Sequence, residues 1–234
     1  MEQTVRAVQL VAVYILPIIF AITLHEAAHG YVARYFGDST AYLQGRISLN
    51  PMRHIDPIGT VVLPIVTLMI AAVSPGSAFL FGWAKPVPVS FGNLRNPKSD
   101  MMWVALAGPA MNLLMALVWE AFLKIQLSTH MEEVFFLEMA QGGVRINLMF
   151  MLLNLLPILP LDGGRIVVSL LPPKAAFRFA QLEPYGLFIL FALVIIPGLF
   201  SAPGLLSVVL GPLLAGADGL LQFLFNIPPS IYVS

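Results

Sequence analysis

Residues 7–29 read AVQLVAVYILPIIFAITLHEAAH, a long apolar run that ends in three ionisable side chains. The run Ala7–Leu24 has no charged residue and is long enough to cross the hydrocarbon core of a bilayer as a helix. A cleaved signal peptide would end in a small-x-small site, whereas this run leads directly into His25 and Glu26. The stretch therefore predicts a retained membrane-spanning helix with ionisable residues at one end.

The composition of the whole chain also indicates a membrane protein. Of its 234 residues, 59% are hydrophobic and 10% are charged, whereas a soluble domain carries about 25% charged residues. So few charges cannot cover a globule of this size, which disfavours a soluble protein with large buried helices. The net charge is zero and the basic residues form no stripe, so we expect no nucleic-acid partner. Cysteine is absent, so any metal must be bound by His, Asp, Glu or Asn.

Six apolar segments predict an all-α polytopic membrane protein, with one transmembrane domain over residues 1–234. The segments are Ala7–Leu24, Pro57–Val73, Met101–Leu123, Ile146–Leu161, Pro184–Phe200 and Gly204–Phe225. We expect five to six transmembrane helices, because the second segment is short and contains Pro64. Alternating Pro and Val after it predict a short re-entrant or β segment near residues 74–92. Asp218 lies in the last apolar segment and has no predicted role.

His25 and His29 are four residues apart, so they lie one above the other on one helical face. Two imidazoles so placed can bind one zinc ion, and Glu26 between them can polarise a zinc-bound water. This is the H-E-x-x-H arrangement of zinc hydrolases. The alternative is a pair of hydrogen-bonded buried histidines, but ionisable residues within a span are costly and usually functional. The motif predicts one Zn²⁺ per chain, with Glu26 as the catalytic residue.

Catalytic zinc usually has three protein ligands, and Asp162 is the best-placed candidate for the third. It follows two prolines that break a helix, and it precedes Gly163 and Gly164, which permit a close approach of the backbone. A broken helix at membrane depth is tolerated where it is buried or lines a cavity. Asp is also a favoured N-cap, so the local sequence fits a capping role for Asp162 equally well.

Membrane topology favours the ligand role. With six full crossings, the histidine pair and Asp162 would emerge on opposite faces, too far apart for zinc–oxygen bonds of about 2 Å. If Pro57–Val73 enters the membrane and returns to the same side, His25, His29 and Asp162 all emerge on one face. This topology also places nine basic residues on that face, which identifies it as cytoplasmic. The nine are Arg34, Arg46, Arg53, Lys85, Arg95, Lys98, Arg165, Lys174 and Arg178.

Several other residues are candidates for contact with the substrate or with the zinc ligands. Asn147 and Asn154 share a helical face, and we expect Asn154 to contact substrate or the Asp162 carboxylate, although helix–helix hydrogen bonding is the alternative. His54 could form such a contact, but it fits a polar surface loop better. The extended Pro-Val stretch could bind substrate by strand addition. Its predicted contact residues are Lys85, Pro86 and Val87.

Three motifs in order resemble those of the site-2 proteases, a family of intramembrane metalloproteases. His25-Glu26-Ala-Ala-His29 resembles the zinc motif, and Gly108-Pro109-Ala-Met-Asn112 resembles the Gly-Pro-x-x-Asn motif. The stretch Asn154–Gly164 resembles the proline-containing motif that ends in Asp-Gly-Gly. The resemblance implies that Asp162 is the third zinc ligand and adds Asn112 to the candidate contacts. It also implies a membrane-associated β-hairpin at the Pro-Val stretch.

The resemblance spans roughly Leu24–Arg165 and includes no PDZ or CBS domain, so it implies a minimal member. The expected activity is zinc-dependent endopeptidase cleavage in or near transmembrane segments, as in regulated intramembrane proteolysis. Expected partners are the lipid bilayer of a prokaryotic cell membrane and a membrane-protein substrate, most simply a single-span one. The alternatives are a metal transporter and a non-catalytic zinc-binding membrane protein. The other spans supply few ligands for a transport path, which disfavours the metal transporter. The intact H-E-x-x-H motif disfavours the non-catalytic zinc-binding protein.

Overall fold

The computed structural model describes residues 2–62, 84–130, 133–199, 205–228 and 231. The α-helices among them are α1 (Glu2–Tyr35), α2 (Thr40–Leu43), α3 (Pro97–Thr129), α4 (Val134–Asn154), α5 (Asp162–Leu170), α6 (Pro173–Ala180), α7 (Glu183–Leu199) and α8 (Leu205–Phe225). Short 3₁₀ helices span Pro51–Arg53 and Phe91–Asn93, and a π-helical segment spans Pro57–Val62. No β-strand occurs in these ranges, so the predicted all-α class is confirmed there.

Three of the helical segments are long and apolar enough to cross a membrane. They are Ala12–Tyr35, Pro97–Thr129 and Val208–Phe225, and a shorter apolar helix covers Glu183–Leu193. These helices support the predicted membrane protein, whereas the total of five to six spans stays a prediction. The predicted re-entrant path of residues 57–73 falls mostly on residues 63–83, which lie outside the described part of the chain.

Helices α1, α3 and α4 pack against one another and form the centre of the fold. Their shared core contains Val13 of α1, Leu123 of α3 and Leu148 of α4. Trp119 of α3 packs directly over Gly143 of α4, where any Cβ atom would collide with its indole ring. The three helices therefore approach closely enough to place polar side chains from each of them around one point.

Asp218 has a partner in the neighbouring helix. It lies on α8, which packs against α4, and its carboxylate is attracted by Arg145 and hydrogen-bonded by Gln222. An opposite charge offsets part of the cost of placing a carboxylate within a membrane-length helix. The residue without a predicted role thus belongs to a polar contact between α4 and α8.

Helix α1 ends in a tight turn that anchors a distant segment. Gly37 adopts a left-handed conformation with φ of 109°, and the N–H of Asp38 donates to the carbonyl of Ala33 at 2.9 Å, closing a Schellman-type cap. The buried Asp38 carboxylate accepts the backbone N–H of Ser90 at 2.6 Å. Burial raises the pKa of Asp38, but hydrogen bonds led by those of Thr40 outweigh it and hold this pKa below its ordinary value.

Residues 84–90, here termed the Pro-Val segment, cross the end of α1 without regular secondary structure. The N–H of Lys85 donates to the carbonyl of His54 at 2.8 Å, and Arg46 donates to the carbonyls of Lys85 and Pro86 at 3.0 and 3.2 Å. The β structure predicted near residues 74–92 is wrong for residues 84–92. These residues bond to loops and to α1 instead of a neighbouring strand, and Pro86 and Pro88 have no N–H to donate.

Candidate active site

Both histidines of α1 are held in a form that can bind a metal. The Nδ1 atom of His25 lies 2.6 Å from Oδ1 of Asn112, and Nδ1 of His29 lies 2.7 Å from the carbonyl oxygen of Val104. Each of these oxygens is an acceptor, so each Nδ1 carries a hydrogen and donates it. The lone pair of each neutral imidazole is then on Nε2, as in metal-binding histidines.

Asp162 completes a triangle of donor atoms with the two imidazoles. The two Nε2 atoms are 3.1 Å apart, and Oδ2 of Asp162 lies 3.2 Å from Nε2 of His25 and 3.4 Å from Nε2 of His29. A shared proton can bridge only one pair of these three atoms, whereas a divalent cation satisfies all three. Tetrahedral zinc with bonds of about 2.0–2.1 Å needs ligand atoms about 3.3–3.4 Å apart. The donor set and its spacing therefore fit zinc with one position left open.

The start of α5 brings Asp162 to this point. Leu161 occupies the N-cap position of α5 and Asp162 is its first helical residue, so the capping interpretation of Asp162 is wrong. A Cβ on Gly163 would collide with the carbonyl of Leu155, and a Cβ on Gly164 would lie 2.6 Å from the backbone nitrogen of Leu159. The two glycines thus let α5 begin directly against the preceding turn.

Glu26 lies beside the triangle and contacts the Pro-Val segment. Its Oε2 atom accepts the backbone N–H of Val87 at 2.8 Å. One turn further along α1, a Cβ on Gly30 would lie 3.2 Å from Cγ1 of Val87, so this glycine permits the close approach. The predicted catalytic residue and one predicted substrate-contact residue are therefore in direct contact.

Curated relatives carry names that match this chemistry. The chain is 35% identical over 219 residues to "Putative zinc metalloprotease YwhC" of Bacillus subtilis, and the match covers 89% of each protein. The chain belongs to this zinc metalloprotease family. It is also 29% and 26% identical to proteins named "Putative zinc metalloprotease Rip2" in Mycolicibacterium smegmatis and Mycobacterium tuberculosis, over 84% of this chain and 73% of each relative. No family model and no solved structure matches the chain.

In this member of the zinc metalloprotease family, a chain of amides supports His25. The fully buried Asn112 donates from Nδ2 to the carbonyl of Ala21 at 3.3 Å and to Oδ1 of Asn147 at 3.1 Å. Asn147 in turn donates to the carbonyl of Gly143 at 2.8 Å. Sequence reasoning included Asn112 but assigned the functional role to Asn154 rather than Asn147. Asn147 is fully buried and bonded to Asn112 of α3, and spacing along one helix does not reveal this contact.

Asn112→Ala should weaken zinc binding by about 10–100-fold, because the residue fixes the tautomer and orientation of a ligand imidazole. The measurement is a competition titration with a chelator of known affinity, on protein whose helical content matches the wild type. Asn154→Ala is the matched control, because the Asn154 amide donates to the carbonyl of Phe150 in its own helix and should leave zinc affinity unchanged. Equal zinc affinity in Asn112→Ala and wild type would exclude this role.

The remaining predicted contacts lie around the Pro-Val segment or on α4. Asn154 makes its described hydrogen bond within α4, at 3.0 Å to Phe150. His54 is buried, with 2% of its surface exposed. Its Nε2 atom is hydrogen-bonded to the carbonyl of Ser48 at 2.8 Å, and its own carbonyl accepts the N–H of Lys85. The surface-loop interpretation of His54 is therefore wrong. His54 supports the Pro-Val segment through the backbone.

Proposed function

We propose that this chain is a site-2 protease, a zinc-dependent endopeptidase that cleaves peptide bonds in or near transmembrane segments of other membrane proteins. The observation that carries the proposal is the meeting of three side chains: His25 and His29, which lie with Glu26 on a helix of membrane-spanning length, and Asp162 at the start of the short helix α5. Both histidines lie within the span Ala12–Tyr35, and Asn112 lies within the span Pro97–Thr129. A site at this position is reached by substrates that are themselves in the membrane.

The side chains supply a division of roles for peptide hydrolysis. His25, His29 and Asp162 would hold zinc, which supplies a polarised carbonyl and a lowered pKa of bound water. Glu26 takes a proton from the attacking water and returns it to the leaving amine as general base and then general acid. The Val87 N–H occupies Oε2 of Glu26, so we assign the proton transfer to Oε1.

A transmembrane substrate must unwind locally, because a helix hides its backbone carbonyls from attack. We propose that the unwound strand pairs with the Pro-Val segment. The N–H groups of Lys85 and Val87 already have partners, and Pro86 and Pro88 carry no N–H group. Over Lys85–Pro88 the substrate therefore has to supply the N–H donors, and the carbonyl groups of the segment are the acceptors, although those of Lys85 and Pro86 also accept from Arg46.

Proline scanning of a cleaved substrate tests this pairing. Proline near the scissile bond removes one substrate N–H, and each lost hydrogen bond should lower kcat/KM by about tenfold. N-methyl amino acids at the same positions remove the hydrogen while retaining the side chain. Cleavage that is indifferent to both changes at every position would disprove strand pairing while leaving the zinc site untouched.

The active site is proposed to face the cytoplasm. The segments that carry the nine grouped basic residues are joined to one another in the structure, which supports their placement on one side. The contacts are Arg46 with the Lys85 carbonyl, Lys98 with the Leu171 carbonyl at 2.6 Å, and Arg165 with the Phe91 ring at 5.2 Å. Short loops rich in basic residues are cytoplasmic.

Glu26→Gln tests the proposed activity. The variant should retain zinc, because Glu26 is not a ligand. Its cleavage rate should fall by about 10²–10⁴-fold, because the general base is removed. New protein N-termini are compared by mass spectrometry in membranes of cells that express either form. We expect termini within or next to transmembrane segments that appear with the wild type alone.

Glu138→Gln, an exposed change on α4, is the matched control and should leave these termini in place. If the wild type and Glu26→Gln bind zinc equally and produce the same termini, the protein is the non-catalytic zinc-binding alternative.

A further inference from the structure

The segment Leu171–Leu182, which contains α6, carries two cations and no acidic residue. Lys174 and Arg178 are four residues apart on this helix, so they lie on the same helical face. Both are exposed, and within the described part of the chain neither has an ion-pair or hydrogen-bond partner. Two adjacent positive charges are therefore available to an anion from outside the protein.

A groove beside these cations has apolar walls. It encloses about 520 Å³ and is lined by Leu171, Lys174, Ala175, Arg178, Phe179 and Leu182. Large apolar side chains around it are exposed as well, with Leu170 at 67%, Phe177 at 68% and Tyr185 at 62%. A ligand that fits this groove needs an anionic group and an apolar part on the same molecule.

The place of α6 in the chain limits the choice of that ligand. It connects α5, which begins at a candidate zinc ligand, to the apolar helix α7. A short helix that carries Lys and Arg on one face and aromatic side chains beside them is typical of the membrane–water interface. Aromatic rings prefer the headgroup level of a bilayer, and basic residues there attract anionic lipids.

We propose that α6 lies in the membrane interface and binds an anionic phospholipid. Lys174 and Arg178 contact the headgroup phosphate, and the apolar walls of the groove contact the start of the acyl chains. The lipid fixes α6 against the bilayer and thereby restrains α5, which packs against α6. The proposal uses none of the zinc-site residues and does not depend on protease activity.

The test measures lipid binding to the purified full-length protein by native mass spectrometry from a neutral detergent. Phosphatidylglycerol and phosphatidylcholine are titrated against wild type, the double variant K174Q/R178Q and the charge-conserving K174R/R178K. Each cation near an anionic lipid contributes roughly fivefold to affinity, so K174Q/R178Q should bind phosphatidylglycerol about 30-fold more weakly. K174R/R178K should bind it as wild type does, and phosphatidylcholine binding should be the same for all three proteins.

R53Q/R95Q removes the same charge from exposed arginines in other segments and should leave phosphatidylglycerol binding unchanged. The proposal is overturned if K174Q/R178Q binds phosphatidylglycerol as tightly as wild type, or if R53Q/R95Q loses as much affinity. It is also overturned if millimolar inorganic phosphate displaces the lipid, because the groove would then be a site for free phosphate. Zinc content should equal that of wild type in every variant, which separates this result from the fate of the metalloprotease proposal.

Discussion

Gly108→Ala should abolish zinc binding and, with it, proteolysis. A Cβ at this position of α3 would lie 2.5 Å from Nε2 of His25 and 2.5 Å from Nε2 of His29, the two nitrogen atoms that face the metal position. Real Cβ atoms do not approach heavy atoms this closely, so the methyl group must displace one ring or both. We expect zinc measured by plasma mass spectrometry to fall from about one ion per chain to near zero.

Gly211→Ala is the matched control for this change. It also adds a methyl group to a membrane-length helix, but a Cβ there meets no atom of the described residues within 4 Å. Zinc content should be that of the wild type, because alanine favours the helix and disturbs no neighbour. Stoichiometric zinc of wild-type affinity in Gly108→Ala would show that the metal, if any, is bound elsewhere.

Asp162→Asn should remove zinc while leaving the helix start intact. Asparagine has nearly the shape and helix-start preference of aspartate, but its neutral amide is a poor zinc ligand. The loss of zinc affinity should exceed the roughly 100-fold that is the upper end for a residue that only hydrogen-bonds a zinc ligand. Chelator competition gives the zinc affinity, and thermal unfolding of both zinc-free proteins should give midpoints within a few degrees of each other.

Asp100→Asn provides the comparison for Asp162→Asn. Asp100 is a buried aspartate in the first turn of α3 that accepts the N–H of Asn96 at 2.7 Å, and among the described residues it belongs to no candidate metal cluster. Its replacement should leave zinc affinity unchanged. If Asp162→Asn retains wild-type affinity, the carboxylate is not a ligand and the three-ligand site is wrong.

Much of the candidate site could be predicted from the sequence, because its central parts are local. The spacing of His25 and His29 places them on one face of any helix, and α1 forms as predicted. Asp162 was found because it is an ionisable residue between helix-breaking prolines and a glycine pair. The spacing of Gly108 and Asn112 also has a physical reason, since the glycine makes room for both imidazoles and the amide one turn later holds His25.

The contacts that no local pattern encodes were missed. Glu26 and Val87 are 61 residues apart in the chain, and their hydrogen bond depends on how the Pro-Val segment crosses α1. Asn147 and Asn154 look equivalent on one helix, and only packing against α3 selects Asn147. The β segment predicted near residues 74–92 is wrong for residues 84–92, because the alternation of Pro and Val does not reveal that Lys85 and Val87 find backbone and carboxylate partners elsewhere.

Zinc K-edge X-ray absorption of the purified wild-type protein shows whether the two histidines and Asp162 bind zinc. We expect one zinc per chain, surrounded by nitrogen and oxygen atoms at about 2.0–2.1 Å and giving the multiple-scattering signal of two imidazoles. His29→Ala should reduce that signal to one imidazole or remove the metal. A zinc-free protein under zinc-replete expression, or a zinc shell without imidazole, would contradict it.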